Sequence, residues 1–445
     1  MLPVEIQSRI IMHLDLPALL SVRMTRKSLH SLTKLRQVWY NIITQLEKTY
    51  KISSLEEEID DYTTEELEHW ALRRSCTQEV WARSKPPHPR TRVVDPYPGG
   101  RWFLIGNSFA LMYVHDLDAA QPEPRLLFDP NEFDEEEAWD GPTVEYCLWI
   151  DESKPRLSFR IAGSVMTGGD ARTFIYDVEL VGHGASAALV ANRRVAFRNS
   201  KSGSRDPTFT LNRHYFLEVL GNTSRFQTET DKEIQVYRYS EAPGFPNYPV
   251  TRPITYQFSG YTCVLAEFVS ENIFIINTSQ GSLRVFEVAC QPESPQLPHS
   301  IQLLHVVPFI CHCRSGIRRF PGSSRLVILA FNELKGITTP HNKSVHPIVV
   351  ELGKLPKAAV SRRGLIPNSL GISASLFFRG RKSPVEIATH SWDLNAQRNL
   401  EYAPSSAYIP NLPSGRDPIA YSEDVGRVVF WKEGNRDSLL VVDLV

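Results

Sequence analysis

Apolar residues recur at helical spacing over the first forty-six positions, then give way to short β-type runs. Ile6, Ile10 and Leu14 stand four residues apart, with Gln7, Ser8 and Arg9 between them, which predicts a first helix. Pro3 suits its first turn, where a missing N–H loses no partner. Asp15 predicts the cap of a second short helix, with Pro17 in its first turn and Leu16, Leu19, Leu20 and Val22 on its apolar side. Leu29, Leu32, Leu35, Val38, Trp39, Ile42, Ile43 and Leu46 continue the three-four spacing. Ser53-x-x-Glu56 and Thr63-x-x-Glu66 match capping boxes and predict two further helices, the second carrying Leu67, Trp70, Ala71 and Trp81. The stretch from Lys85 to Pro89 holds three prolines, cannot continue a helix and reads as a stiff linker.

From about Arg92 onward, β-branched and aromatic residues cluster in short runs between Gly, Pro, Asn, Asp and Ser, the pattern of many strands. One strand ending recurs: apolar, spacer, acid, apolar. It reads Val114-His115-Asp116-Leu117, Ile175-Tyr176-Asp177-Val178, a variant Val236-Tyr237-Arg238-Tyr239, and Val285-Phe286-Glu287-Val288. Val349-Val350-Glu351-Leu352, Ser391-Trp392-Asp393-Leu394 and Val441-Val442-Asp443-Leu444 follow. The intervals are 61, 61, 49, 64, 42 and 50 residues. A four-stranded propeller blade takes roughly 40–50 residues, so the pattern predicts a divergent β-propeller of about seven blades with inserted loops. Ring closure would leave this many strands without open edges. A pairing of Leu439–Leu444 with a strand near Thr91–Asp95 is the expected closure.

Composition narrows the classes. Charge is balanced, 49 basic against 50 acidic residues, which gives no global reason to expect nucleic acid or membrane as a partner. No run reaches the ~18 apolar residues of a membrane span, and the start carries Glu5 where a signal peptide would carry a basic region. Cys76, Cys147, Cys263, Cys290, Cys311 and Cys313 form no CxxC pair, so a reducing compartment, cytoplasm or nucleus, is expected. Residues 1–46 are different from the whole: 23 of the 46 are apolar, and six basic residues face two acidic ones. So small a unit buries only part of such a surface, and the excess positive charge favours an acidic partner.

These residues resemble the F-box family. The matching string is Leu2-Pro3-x-Glu5-Ile6, Ile10 with Leu14, Asp15-Leu16, Leu19-Leu20-x-Val22-Arg23, then Arg26-Lys27, Leu29 and Val38-Trp39. Thr25 stands where members often carry cysteine. The resemblance implies a three-helix module over 1–46 that docks on the Skp-type adaptor of SCF ubiquitin ligases and, through it, a cullin. A helical linker over 47–90 and a β-propeller over 91–445 that recruits a protein target would complete the chain. The adaptor contact it implies is drawn from Leu2, Pro3, Glu5, Ile6, Ile10, Leu14, Leu16, Leu19, Leu20, Val22, Arg23, Val38 and Trp39. Trp392-Asp393 resembles the dipeptide that closes a strand in WD repeats. The linker, the run from Pro98 to Asn107 and the WD-like part together are similar to F-box proteins of mushroom-forming fungi.

Catalytic patterns are sparse. The sequence has no phosphate-binding Gly-x4-Gly-Lys-Ser/Thr and no His-Glu-x-x-His, and Gly184-Ala-Ser-Ala-Ala188 lacks the last glycine of a nucleophile elbow. Cys311-His312-Cys313 would split its ligands between two faces of a strand, a poor tetrahedral site. Seven carboxylates between Asp129 and Asp140 lack the glycine turn of a calcium loop and read as a solvated connection. Arg314, Arg318 and Arg319, Arg362-Arg363, and Arg379, Arg381 and Lys382 would bind an acidic or phosphorylated peptide if they converged. The expectation is therefore a non-enzymatic substrate receptor without cofactor or metal. The competing readings are a β-propeller enzyme with a helical cap and an adaptor-binding scaffold with no role in degradation.

Overall fold

The computed structural model describes residues 3–50, 55–82, 90–91, 101–106, 111–117, 124–130, 143–167, 170–199, 208–221, 230–239, 253–260, 263–278, 281–289, 300–308, 313–314, 317–320, 322–330, 333–354, 374–378, 385–389, 392, 405–407, 420–422, 427–431 and 439–443. Four helices open the chain: α1 (Val4–Ile11), α2 (Leu16–Arg23), α3 (Lys27–Leu32) and α4 (Arg36–Tyr50). A fifth, α5 (Thr64–Ala82), packs along α4. The first forty-six residues were expected to hold three helices. The Thr33 hydroxyl turns back to the His30 carbonyl and ends α3, which divides the long apolar period in two. No breaker stands between Leu46 and Tyr50, so α4 runs past position 46.

Two predicted caps are present. Asp15 Oδ1 accepts the Ala18 N–H at 2.9 Å at the start of α2. At the start of α5, Glu66 Oε2 accepts the Thr63 N–H at 2.7 Å, and Thr63 Oγ1 accepts the Glu66 N–H at 3.2 Å. The other predicted helix is absent at the described residues: 55–58 are extended or bent, followed by a single 3-10 turn, Ile59–Asp61. Long-range contacts decide this. The Glu56 carbonyl accepts the Leu157 N–H at 2.7 Å, and the Glu57 side chain is consumed by the β-rich part. Ser53 and the 85–89 stretch lie outside the described residues.

The helices share one core. Trp39 and Leu19 are fully buried among Ile11, Leu16, Val38, Ile42, Ile43, Leu46, Leu67 and Ala71. Truncating a tryptophan so placed costs about 3–5 kcal/mol.

Beyond residue 101 the described chain is antiparallel sheet apart from turns and one 3-10 helix, Gly184–Ser186. The first sheet has Trp102–Gly106, Met112–Asp116 and Arg125–Phe128. The second has Thr143–Ile150, Ser158–Thr167, Asp170–Val181 and Ala188–Asn199. The third has Thr208–Leu211, Tyr215–Gly221, Thr230–Arg238 and Ile254–Gly260. In the fourth are Cys263–Phe268, Ile273–Thr278, Ser282–Ala289 and Ser300–Pro308. The fifth pairs Cys313–Arg314 and Arg318–Phe320 with Ser323–Ala330, followed by Glu333–Pro340 and Ile348–Lys354. Ala374–Phe378, Val385–Thr389 and Ser405–Ala407 form the sixth. Ala420–Ser422, Arg427–Trp431 and Leu439–Asp443 belong to the seventh, whose outer strand is Arg90–Thr91.

The first five sheets lie side by side in chain order, as propeller blades do. The first strands of the second, third and fourth sheets touch one another. Phe128 stacks on Tyr176 at 4.0 Å between the first and second sheets. Val195, Phe197, Phe209 and Phe216 join the second to the third, and Val219, Phe258, Phe268 and Phe286 join the third to the fourth. Ile275, Val285, Ile328 and Ile337 join the fourth to the fifth. Gly336 has no side chain because the Trp392 ring occupies the space a Cβ would need. The expected pairing of the chain's last strand is present. Arg90 pairs with Asp443 and Thr91 with Val442, so the register begins one residue earlier than expected.

The recurrent ending falls on the third strand of its sheet at Ile175–Val178, at Val236–Arg238, at Val285–Val288 and at Val441–Asp443. Val349–Leu352 lies instead on the fourth strand of the fifth sheet, and Trp392 follows its strand rather than ending it. At three of these positions the acid holds a base. Asp177 pairs with Arg160, directly opposite in the ladder at 2.6 Å, and with Arg194 at 2.8 Å. Asp116 takes Arg101, and Glu287 takes Lys343 from the neighbouring sheet at 3.3 Å.

Candidate functional site

The thirteen residues that the family resemblance marks separate by burial. Pro3, Glu5, Ile6 and Ile10 are exposed on the first turns of the chain, and Ile6 and Ile10 keep 42% and 49% of their surface. These two stand one turn apart and form a stripe, because Ile11 is the residue of α1 that enters the core. Leu16, Leu19, Val38 and Trp39 are buried in the helical core and are not surface in the free chain. Leu14, Leu20 and Val22 are half-buried against that core. Arg23 is hydrogen-bonded to Glu68 of α5. Leu2 lies outside the described residues. Val4, Met24, Leu35 and Tyr40 are further exposed apolar side chains of the same unit, and the family string does not include them.

A joint fixes this unit to the β-rich part. The Glu57 carboxylate, 3% exposed, faces Arg101 at 3.5 Å, accepts the Gly184 N–H at 3.3 Å and contacts His183. Arg101 also makes two bonds to Asp116, at 2.8 and 3.0 Å, and donates to the Gly184 carbonyl at 2.6 Å. Arg156 reaches Asp61 at 3.3 Å, and the Tyr62 ring meets His183 edge-on. Burial, and then the nearby Glu56 charge, push the Tyr62 hydroxyl above its ordinary range. The run Gly184–Ala188 is thus a docking turn: its Ser186 hydroxyl donates to the His183 carbonyl.

A cavity of about 440 Å³ lies among the sheets. It is built from the turns that follow the first strands of the second, third and fourth sheets, together with Arg319, Phe320, Gly322 and His341 of the fifth. Trp149 and Phe320 give it an aromatic lining. Asn212 positions the third-sheet turn by donating to the Glu271 carbonyl at 2.7 Å and accepting from His214 and Tyr215. Burial raises the Glu152 carboxyl above the ordinary carboxylate value, against the lowering effect of Arg319 and Arg318. Burial also lowers His341. Ser324 Oγ donates to the Val269 carbonyl at 2.5 Å and lies 3.0 Å from His341 Nε2.

Of the basic clusters marked in the sequence, Arg319 reaches this cavity. Arg362, Arg363, Arg379, Arg381 and Lys382 lie outside the described residues, as do Cys311, His312 and the acidic run from 131 to 140. Sequence reasoning did not find the cavity, because its residues come from four separate turns with no shared local pattern. The joint left one trace: three successive glutamates, Glu56 to Glu58, beside a predicted cap.

No family model and no curated protein matches the chain. Solved structures of low similarity do. The β-propeller domain of Myceliophteria thermophila Cps50 (Swd1) is 8% identical, with a TM-score of 0.28 over 59% of this chain and 88% of that one. A complex of the fission yeast SREBP–SCAP binding domains gives 10% and 0.30 over 79% and 80%. Trypanosoma rangeli sialidase with sialic acid gives 10% and 0.32 over 81% and 54%. At these TM-scores the likenesses decide neither blade number nor function.

Proposed function

We propose that the chain is a substrate-recruiting subunit of an SCF-type ubiquitin ligase. The observation that carries this reading is the exposed pair Ile6 and Ile10, beside Pro3 and Glu5, on a helical unit whose own core closes without them. These residues, with Val4, are the proposed contact with a Skp-type adaptor, and the adaptor supplies the link to a cullin. Glu5 in the first turn of α1 is at the favourable end of the helix dipole. The β-rich part is a seven-bladed propeller that holds a protein target, in cytoplasm or nucleus.

The chain performs no chemistry in this account. It raises the effective concentration of target lysines near a charged conjugating enzyme. The joint at Glu57 suits such a role, because a fixed relation between docking unit and target domain sets where the lysines lie. Reconstitution tests the proposal: the full chain, a Skp-type adaptor and a cullin are mixed and separated by size. Co-elution of all three is expected. Elution of a well-folded chain apart from the adaptor overturns the proposal.

A further inference from the structure

Arg325, on the fifth sheet, is a cation held by aromatic rings and by no acid. Its guanidinium lies over the Phe320 ring at 5.0 Å and over the Trp392 ring at 4.9 Å. Gly336 admits the second ring, since a Cβ there would collide with Trp392. Two rings fix the guanidinium plane and attract its charge, but they leave its N–H groups without acceptors. Arg160 also lies over two rings, Trp149 and Tyr239, and there Asp177 completes the site at 2.6 Å. No hydrogen bond or ion pair among the described residues engages Arg325; its Nε is buried without a partner, while Nη1 and Nη2 are not buried. Burial lowers the Arg325 pKa, and no neighbouring carboxylate opposes the shift. Arg318 stands directly opposite Arg325 in the ladder, so two like charges meet on one face, an arrangement that an anion relieves.

We propose that Arg325 binds an acidic peptide segment, with the carboxylate of an aspartate or glutamate accepting from Nη1 and Nη2 together. The inference rests on reading the β-rich part as the domain that recruits the target, and it names the chemistry of the segment recruited. One uncommitted charge on a planar fork matches the single charge and two oxygens of a carboxylate. A phosphate ester carries nearly two charges, and the second cation at hand, Arg318, already has its charge opposed by Glu152. Arg318 belongs to a basic cluster visible in the sequence. Arg325 does not, because its setting is made by rings at Phe320 and Trp392.

Fluorescence anisotropy on the full chain tests it, with three labelled peptides of equal length: alternating Glu and Ser, alternating Gln and Ser, and phosphoserine with Gly. The Glu-Ser peptide binds most tightly, and Arg325→Gln weakens it by on the order of tenfold or more. Arg325→Lys weakens it less, since the ammonium keeps the charge and loses the fork. Lys34→Gln, the same change of charge at an exposed position of the helical unit, leaves it unchanged. Equal affinity for the Glu-Ser and Gln-Ser peptides, preference for phosphoserine, or unchanged affinity in either Arg325 variant overturns the assignment. The peptide comparison uses the wild type alone, so it decides even where a variant does not fold. Adaptor capture is measured on the same preparations. Its failure alone counts against the ligase reading and leaves the ligand class standing.

Discussion

Glu57 and Arg101 meet at 3.5 Å with side chains 3% and 12% exposed, and they join the helical unit to the β-rich part. Removing one partner of a buried pair strands the other charge, at a cost of about 3–5 kcal/mol. Glu57→Ala therefore destabilises the chain by that order and frees the helical unit from the sheets. Denaturant unfolding reads the loss, and limited proteolysis reads the loosened joint. Arg101→Ala combined with Glu57→Ala costs less than the two single losses added. Simple additivity would show that the pair carries no coupling.

Val442 pairs with Thr91 on one side and Val428 on the other. A proline there has no N–H for the ladder and is tolerated poorly inside a sheet. Val442→Pro opens the seventh sheet and exposes edges that closure covers, with a loss of about 1–3 kcal/mol for the bond and its neighbours. Reduced stability together with concentration-dependent association is the expected result. An unchanged midpoint would show that the terminal pairing adds nothing.

The closing pair and the two caps at Asp15 and Thr63 were readable in the sequence because each is a local pattern with one mechanism. The recurrent apolar-acid pattern marked strands, but it ends them only at Asp116, Arg238 and Asp443; Ile175–Val178 lies inside Asp170–Val181, and Val349–Leu352 is near the start of Ile348–Lys354. Its place within a sheet was not readable. Val349–Leu352 has the same local form as Val285–Val288 but occupies the fourth strand, since alternation is identical on every strand of a meander. The helix expected after Ser53 fails at residues 55–58 through partners a hundred residues away, Leu157 and His183, that no local window contains. Among the thirteen adaptor candidates, the apolar pattern alone could not separate Ile6 and Ile10, which face solvent, from Leu19 and Trp39, which do not.

Two histidines give the chain a pH dependence. Burial holds both His214 and His341 below the ordinary value of 6.5. Around His214 stand Glu271, Arg213, Arg160 and Arg238; around His341 stand Arg319, Ser324 and the Val269 carbonyl. A histidine lowered in the folded state binds its proton more readily when unfolded. Stability is therefore full above about pH 6.5 and declines as pH falls through 6.5 toward the folded values. Glu47 and Glu152, raised by burial, act in the opposite sense, so the histidine contribution is read by difference. Urea midpoints between pH 7.5 and 5.5 decline less in His341→Gln than in the wild type. Equal declines would show that His341 titrates alike in both states.

Adaptor affinity is the measurement closest to the central claim. The full chain and its Ile6→Asp/Ile10→Asp variant are titrated with a Skp-type adaptor, after circular dichroism has shown equal folding of the two. Both side chains are exposed, so the substitutions leave the helical core intact. The account predicts that the wild type binds and that the variant loses at least about tenfold in affinity, roughly 1.4 kcal/mol. A folded wild type that does not bind, or a variant that binds equally well, would contradict it.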